Sequence, residues 1–516
     1  MTGENPPLVS KNLGHLLAQR TSLDPDKTFL FSEADGRRFT YAEFQQAVIR
    51  TANLLQSLGL GKGDVVSLLL PNGPEYIIAY FACWKLGALA GPINSLLKQR
   101  EMSYVISNSE AKALLVNSEF LPAIEGIRSD LPNLREVVLF DDERRATHEH
   151  ETKELPEAKV DLDDEAIIIY TSGTTGKPKG CLLTHGNVIA NARQISQWLG
   201  FAENDRLLTV MPLFHMNAVS VTTMSALYAA GSTVVSPKFS ASRFWQIISE
   251  YQVTSFGSVA TMLSMLLSTY HNGIPSGLKT DQLRFAMCGS APVPAEVLKR
   301  FEETFNCLVI EGYGLSESTC RSTFNPPDER RRPGSCGRPI GNEMMVVDEE
   351  DMEVPAGSLG EIVLRGENIL KGYFKNPEAT ATAFRNGWFH TGDIGYRDDD
   401  GFFYIVDRKS DMIIRGGENI YPREIDEVLY QHPAVAEAAV IGVPDTLYGE
   451  EVAAFLVVKD GASLTEDELI EFCRGRLADF KCPKSVRIVK EIPKGPTGKL
   501  LKRELASQWS QLQAKE

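Results

Sequence analysis

The sequence predicts an α/β protein in which a large N-terminal domain of layered, mostly parallel sheets with helices is followed by a small C-terminal α+β domain on a hinge. Three observations predict it. Short apolar runs alternate with helical periodicities, the pattern of parallel strands joined by crossover helices. The texture changes near residue 400, where a run of aspartates and a glycine precedes a short strand and the charged stretch Asp407-Arg408-Lys409. The 516 residues exceed what one hydrophobic core serves, so two or more domains are expected.

The elements can be read in chain order. Helical periodicity covers Ala42–Leu58 and Glu75–Leu86. Strand-like runs occupy Val65–Leu70, Ala113–Val116, Glu136–Leu139, Ala166–Tyr170 and Arg206–Val210. Asp141–Asp164 is charged and nearly free of large apolar side chains, which suits a surface connector. Ala218–Val235 is the longest weakly polar run, but its serines, threonines and Gly231 favour a buried helix, turn and strand over a membrane span. Asp398–Gly401 makes a tight turn before a strand at Phe402–Val406, and the hinge is placed there, with domains at residues 1–408 and 409–516. The second domain reads as a helix at Pro422–Gln431, strands at Val435–Ile441 and Glu451–Val458, and a helix at Glu466–Ala478. That is enough for a small domain.

A formal net charge of -15 repels a phosphate backbone at long range and argues against nucleic acid as a partner. The eight cysteines show no CxxC pair and no Cys/His spacing suited to zinc, so they read as free thiols in a reducing compartment. The N-terminal stretch lacks a basic segment followed by an apolar core, so the expectation is a cytoplasmic protein without a transmembrane segment.

The chemistry-bearing residues begin where the run Ile167–Tyr170 enters Thr171-Ser172-Gly173-Thr174-Thr175-Gly176-Lys177-Pro178-Lys179-Gly180. Glycines let backbone N–H groups approach an oxyanion, hydroxyls donate further hydrogen bonds, and Lys177 and Lys179 neutralise charge, so this loop is built to wrap phosphates. It is not a Walker loop, because Gly173 and Gly176 stand three apart and Lys177 precedes Pro178. Downstream, in order, come Met211-Pro212-Leu213-Phe214-His215, Gly289-Ser290-Ala291-Pro292 and Glu311-Gly312-Tyr313-Gly314-Leu315-Ser316-Glu317. Gly360-Glu361-Ile362, Trp388–Asp393, Asp407-Arg408, Gly416-Gly417-Glu418-Asn419 and Pro496-Thr497-Gly498-Lys499 follow.

With these motifs in this order over nearly the whole chain, the sequence resembles the adenylate-forming superfamily of acyl-CoA synthetases, luciferases and peptide-synthetase adenylation domains. Within it, the chain looks like an AMP-forming acid:CoA ligase. The resemblance implies that a carboxylic acid, ATP and CoA become acyl-CoA, AMP and pyrophosphate through an acyl-adenylate. ATP would lie against Thr171, Ser172, Gly173, Thr174, Thr175, Gly176, Lys177 and Lys179. Tyr313 would stack on adenine with Gly289, Ser290 and Ala291 behind it, and Glu311, Gly312, Gly314 and Ser316 would complete the wall. Asp393 and Arg408 would take the ribose, and Glu317 would hold Mg²⁺. Thr171, His215, Glu317 and Lys499 would form the catalytic set, with Lys499 bridging the substrate carboxylate and the α-phosphate. The small domain would then turn about Ser410, where the family usually has Asp or Lys, to bring Arg415, Gly416 and Gly417 to CoA, with Lys238 a further CoA contact. Ser316 stands where the family usually has Thr, which keeps the hydroxyl.

By the same resemblance His215, Met216 and Asn217 wall the acyl pocket, with Ser258, Val259 and Gly289 opposite. These residues suit an apolar or weakly polar acyl group, medium- or long-chain aliphatic or aryl, and the missing aspartate disfavours an α-amino acid. Residues 500–516 leave no room for a carrier domain, so diffusible CoA is the expected acceptor. Two alternatives stay open: a stand-alone acyl-AMP ligase delivering to a carrier protein, and a catalytically silent adenylate-binding protein. A monomer or homodimer is expected.

Overall fold

The computed structural model describes residues 10–147, 155, 158–171, 177–290, 293–459, 461–494 and 500–513. The large body is built on two seven-stranded sheets. In the first, Leu308–Glu311, Phe285–Cys288, Ser255–Ser258, Arg206–Thr209, Ser232–Val235 and Thr28–Ser32 run parallel, and Arg38–Thr40 closes one edge antiparallel. In the second, Glu165–Thr171, Leu89–Pro92, Val65–Leu69, Ala113–Val116 and Glu136–Leu139 are parallel. Lys179–Thr184 and Gly372–Tyr373 are added antiparallel beyond Glu165–Thr171. The inner parallel strands Val65–Leu69, Ala113–Val116 and Phe285–Cys288 are buried on both faces, as strands covered on both sides must be.

Helix Pro74–Leu86 lies between the sheets and is buried almost all round, which explains why its sequence carries little amphipathic signal. Helix His185–Leu199 starts at a reciprocal Thr184–Asn187 cap and stops at Gly200, whose φ of +63° ends the turn in the left-handed region. It packs on a wide helix at Asn217–Met224, where Ser225 N–H donates to the Ser220 carbonyl five residues back. The run Ala218–Val235 is thus a buried wide helix, a further turn at Ser225–Tyr228 and a strand at Ser232–Val235. No helix among the described residues is long and apolar enough to cross a membrane.

A third, antiparallel sheet contains Glu343–Val347, Gly360–Arg365, Phe384–Arg385, Trp388–Arg397 and Phe403–Arg408. Beyond it a separate core begins at Ile413, under a sheet in which Val435–Asp445 and Gly449–Val458 form a long hairpin. The helix expected at Glu466–Ala478 ends at Arg474, because Gly475 follows and the chain turns there into Leu477 and the short turn Asp479–Lys481. In the connector after Asp141, Glu143 is buried against helix Tyr41–Ser57, accepting from Arg50 Nε and Nη2 at 2.8 and 2.9 Å.

Trp84 ties these layers together. It is 1 % exposed, its Nε1 donates to the Ala166 carbonyl at 3.0 Å, and its ring meets Phe81 edge-on. Trp84→Ala is expected to cost the large body about 3–5 kcal/mol by leaving a cavity and an orphaned carbonyl. Urea unfolding followed by fluorescence checks this, and a loss below about 1 kcal/mol would show that the layers close without it.

Candidate active site

The strand Glu165–Thr171 and its return Lys179–Thr184 form a hairpin with Thr171 opposite Lys179. Ser172, Gly173, Thr174, Thr175 and Gly176 lie outside the described residues, but both feet of their loop are placed. Lys177 Nζ sits 5.7 Å from the centre of the Tyr104 ring and Lys179 Nζ 5.2 Å from that of Tyr373. Thr171 Oγ1 donates to Glu317 Oε1 at 3.4 Å, and the Tyr373 hydroxyl donates to the same oxygen at 3.2 Å. Burial, then the Glu317 charge, pushes the Tyr373 phenol far up, so it stays a donor. One carboxylate with hydroxyls around it beside a phosphate loop fits Mg²⁺, which takes few protein ligands and completes its shell with phosphate oxygens and water.

Cys288 and Glu311 are register partners on neighbouring parallel strands, so Gly289 and Gly312 stand side by side just past the strand ends, where open α/β sheets bind ligands. Gly312 and Gly314 do not tolerate a side chain, because backbone stands against both. A Cβ on Gly312 would meet the Thr323 carbonyl at 2.6 Å, and one on Gly314 would meet the Cys320 carbonyl at 2.0 Å. Ser290 holds φ at +71°, a left-handed conformation uncommon for serine. Ala291 lies outside the described residues. Tyr313 donates its hydroxyl to Asp393 Oδ2 at 2.5 Å, and burial followed by that carboxylate keeps the phenol protonated. Arg408 Nε lies 3.4 Å from Asp393 Oδ1, because Asp393 and Arg408 are paired across adjacent antiparallel strands. Three predicted residues from distant motifs therefore form one cluster. Ser316 opens the short turn Ser316–Ser318 that carries Glu317.

Glu311 faces elsewhere. Its carboxylate accepts from the Gly334 N–H at 2.9 Å, and burial pushes its pKa up to about 7. It holds the Gly334 loop to the end of the strand Leu308–Glu311.

Among the residues expected to wall the acyl pocket, His215 packs its ring on Phe214, and burial pushes the imidazole down to about 4, so it is neutral at pH 7. Its Nε2 has no hydrogen-bond partner, and neither has Nδ2 or Oδ1 of the buried Asn217. Met216 and Val259 are buried, and Ser258 Oγ donates to the Met287 carbonyl at 3.1 Å. Burial pushes the neighbouring Cys288 thiol up to about 12. All eight cysteines are free.

Two residues of the site were missed in the sequence. Tyr373 reaches Glu317 because its strand pairs with Lys179–Thr184, an association with no local signal. Arg321 is buried with its guanidinium on Gly289. Its signal was present but weak: a lone arginine among small polar residues, four positions after Glu317.

In the small body Arg415 donates from Nε to Glu451 Oε1 at 2.6 Å and lies over the Tyr448 ring. Gly416 and Gly417 both have positive φ, at +59° and +91°, which their turn requires. Lys238 is exposed on the large body, apart from them in sequence. Ser410 donates to Asp411 Oδ1 at 3.0 Å. At this joint Arg423 of the small body donates from its backbone N–H to Asp407 Oδ2 and from Nη1 to the Ile405 carbonyl. Lys499 lies outside the described residues.

The AMP-binding enzyme family model matches residues 17–374, and the AMP-binding enzyme C-terminal domain model matches residues 424–499. The chain belongs to the AMP-binding enzyme family. It is 37% identical over 513 residues to a sulfoacetate–CoA ligase of Cupriavidus necator, covering 98% of this chain and 99% of that one. It is 37% identical over 506 residues to the long-chain-fatty-acid–CoA ligase FadD13 of Mycobacterium tuberculosis, covering 97% and 99%. The ATP-bound crystal structure of MatB from Rhodopseudomonas palustris superposes with a TM-score of 0.90 at 31% identity, covering 96% of this chain and 99% of that one. The protein is accordingly an AMP-forming acyl-CoA synthetase with ATP and CoA as its substrates.

Glu311 gives the site a pH signature. Its pKa is raised in the folded state, so the folded protein holds the proton more tightly than the unfolded chain; the stabilisation is complete below the unfolded pKa and lost as pH rises through about 7. The thermal midpoint is expected to fall between about pH 5 and about pH 8, and to fall less in Glu311→Gln. Parallel curves for the two proteins would contradict this.

Proposed function

We propose that this chain joins a carboxylic acid to CoA in two steps at one cleft. What carries the reading is the meeting, past the ends of parallel strands, of the phosphate-loop foot Thr171 with Glu317 and of Tyr313 with Asp393 and Arg408. In the first step a carboxylate oxygen of the acid attacks the α-phosphorus of ATP, forming the acyl-adenylate and releasing pyrophosphate. In the second a thiolate of CoA attacks the acyl carbonyl and AMP leaves.

In this reading the loop Thr171–Gly176 cradles the phosphates through backbone N–H and hydroxyl donors, with Lys177 and Lys179 balancing charge. Tyr313 and the Gly289–Ala291 backbone enclose adenine, Asp393 accepts from the ribose hydroxyls, and Arg408 donates beside it. Glu317, with Thr171 and Tyr373 around it, would hold Mg²⁺, whose charge screens the phosphates and favours departure of pyrophosphate. Lys499 stabilises charge developing between carboxylate and α-phosphate. It would block the thiol if it stayed, so residues 409–516 move as a unit about Ser410 between the two steps. A reducing cytoplasm suits the free thiols.

The test is pyrophosphate release from ATP and Mg²⁺ over a panel of acids, with and without CoA. Turnover that requires an acid, with acyl-CoA as product, supports the reading. Pyrophosphate without acyl-CoA would move the acceptor to a carrier protein. Lys499→Ala is expected to reduce adenylation by about 100-fold or more while sparing thioester formation from synthetic acyl-AMP. Equal loss in both half-reactions would remove that assignment.

A further inference from the structure

Arg321 is 2 % exposed, and its guanidinium lies flat on the backbone at Gly289, where an added Cβ would stand 2.5 to 2.6 Å from Nη2, Cζ and Nη1. Its Nε and Nη2 have no hydrogen-bond partner, and among the described residues no carboxylate forms an ion pair with it. The Phe324 ring, centred 5.4 Å away, is a weak substitute. A guanidinium does not shed its proton, and a buried charge without a counter-charge is strongly unfavourable. Glu311, on the neighbouring strand end, is turned to Gly334 instead.

The orphaned polar atoms nearby belong to the same space. Gly257 is the register partner of Met287, two residues before Gly289, so with a side-chain period of two Gly257 and Gly289 face the same side of the sheet. Asn217 Oδ1 stands 3.3 Å from the Cβ position of Gly257 on that side, and both of its side-chain polar atoms lack partners. His215, two residues earlier, carries its unpartnered Nε2. An aliphatic chain or an aryl ring, the tails expected from the sequence, would leave all of these groups unsatisfied.

We propose that the acid carries a second anionic group, a carboxylate or a sulfonate, which Arg321 receives with Asn217 and His215 alongside. Arginine's planar fork is suited to a two-oxygen acceptor, and a neutral imidazole and an amide supply further hydrogen bonds without adding charge. The proposal rests on the ligase reading of the same cleft.

The test compares acids of matched length that differ only at the far end: butyrate against succinate and 3-sulfopropionate, and propionate against malonate. Acyl-CoA formation is read as kcat/KM, with the fold of each variant checked by thermal melting. The doubly charged acids are expected to be preferred by about 100-fold, and Arg321→Met to lower kcat/KM for succinate far more than for butyrate, so that the preference is lost; Arg321→Lys should keep part of it. Preference for succinate over 3-sulfopropionate, or the reverse, assigns the anion as carboxylate or sulfonate. Equal or better use of butyrate and propionate by the unaltered enzyme overturns the role of Arg321 and leaves the ligase standing. No pyrophosphate with any acid removes the ligase reading, and this proposal with it.

Discussion

The site depends on a backbone contact too close to admit a side chain. Gly312 and Gly314 lie directly against the returning segment Cys320–Phe324, and the Tyr313 carbonyl accepts N–H bonds from Ser322 and Thr323. This pins a short loop at both ends and aims three side chains in three directions. Tyr313 points to Asp393, Glu317 to Thr171 and Tyr373, and Arg321 to Gly289. The residues proposed to meet nucleotide, cation and acid are thereby fixed relative to one another by one stretch of chain.

The charges around this loop are handled by pairing where partners exist and by proton retention where they do not. Asp393 is bracketed by a phenol and a guanidinium, Glu311 keeps a high proton affinity under cover, and His215 gives its proton up. Arg321 has neither recourse, which is why it stands out among the buried groups.

Much of the fold was legible in the sequence because local rules agree with it. Ala113–Val116 and Glu136–Leu139 are strands with the bounds their apolar runs give, and Tyr41–Ser57 is the expected helix shifted by one residue to meet its Thr40 cap. The motif residues were legible as chemistry, and Tyr313, Asp393 and Arg408 do meet. What stayed hidden depends on tertiary pairing. The Gly372–Tyr373 strand joins a hairpin nearly two hundred residues earlier, and the burial of Arg321 follows from a glycine on another strand offering a flat surface. That the expected helix after Asn217 is a wide one is also invisible to a 3.6-residue periodicity, since its turn is longer.

An enzyme that makes a mixed anhydride must survive it, and any thiolate within reach is a candidate for self-acylation. Cys288 stands immediately before Gly289, one of the residues proposed to line the acyl pocket. Burial pushes its thiol up to about 12, which holds the sulfur as the thiol rather than the thiolate at neutral pH. Burial thus keeps the protein's own sulfur chemically silent, and leaves attack on the activated carbonyl to a thiol that arrives from solution.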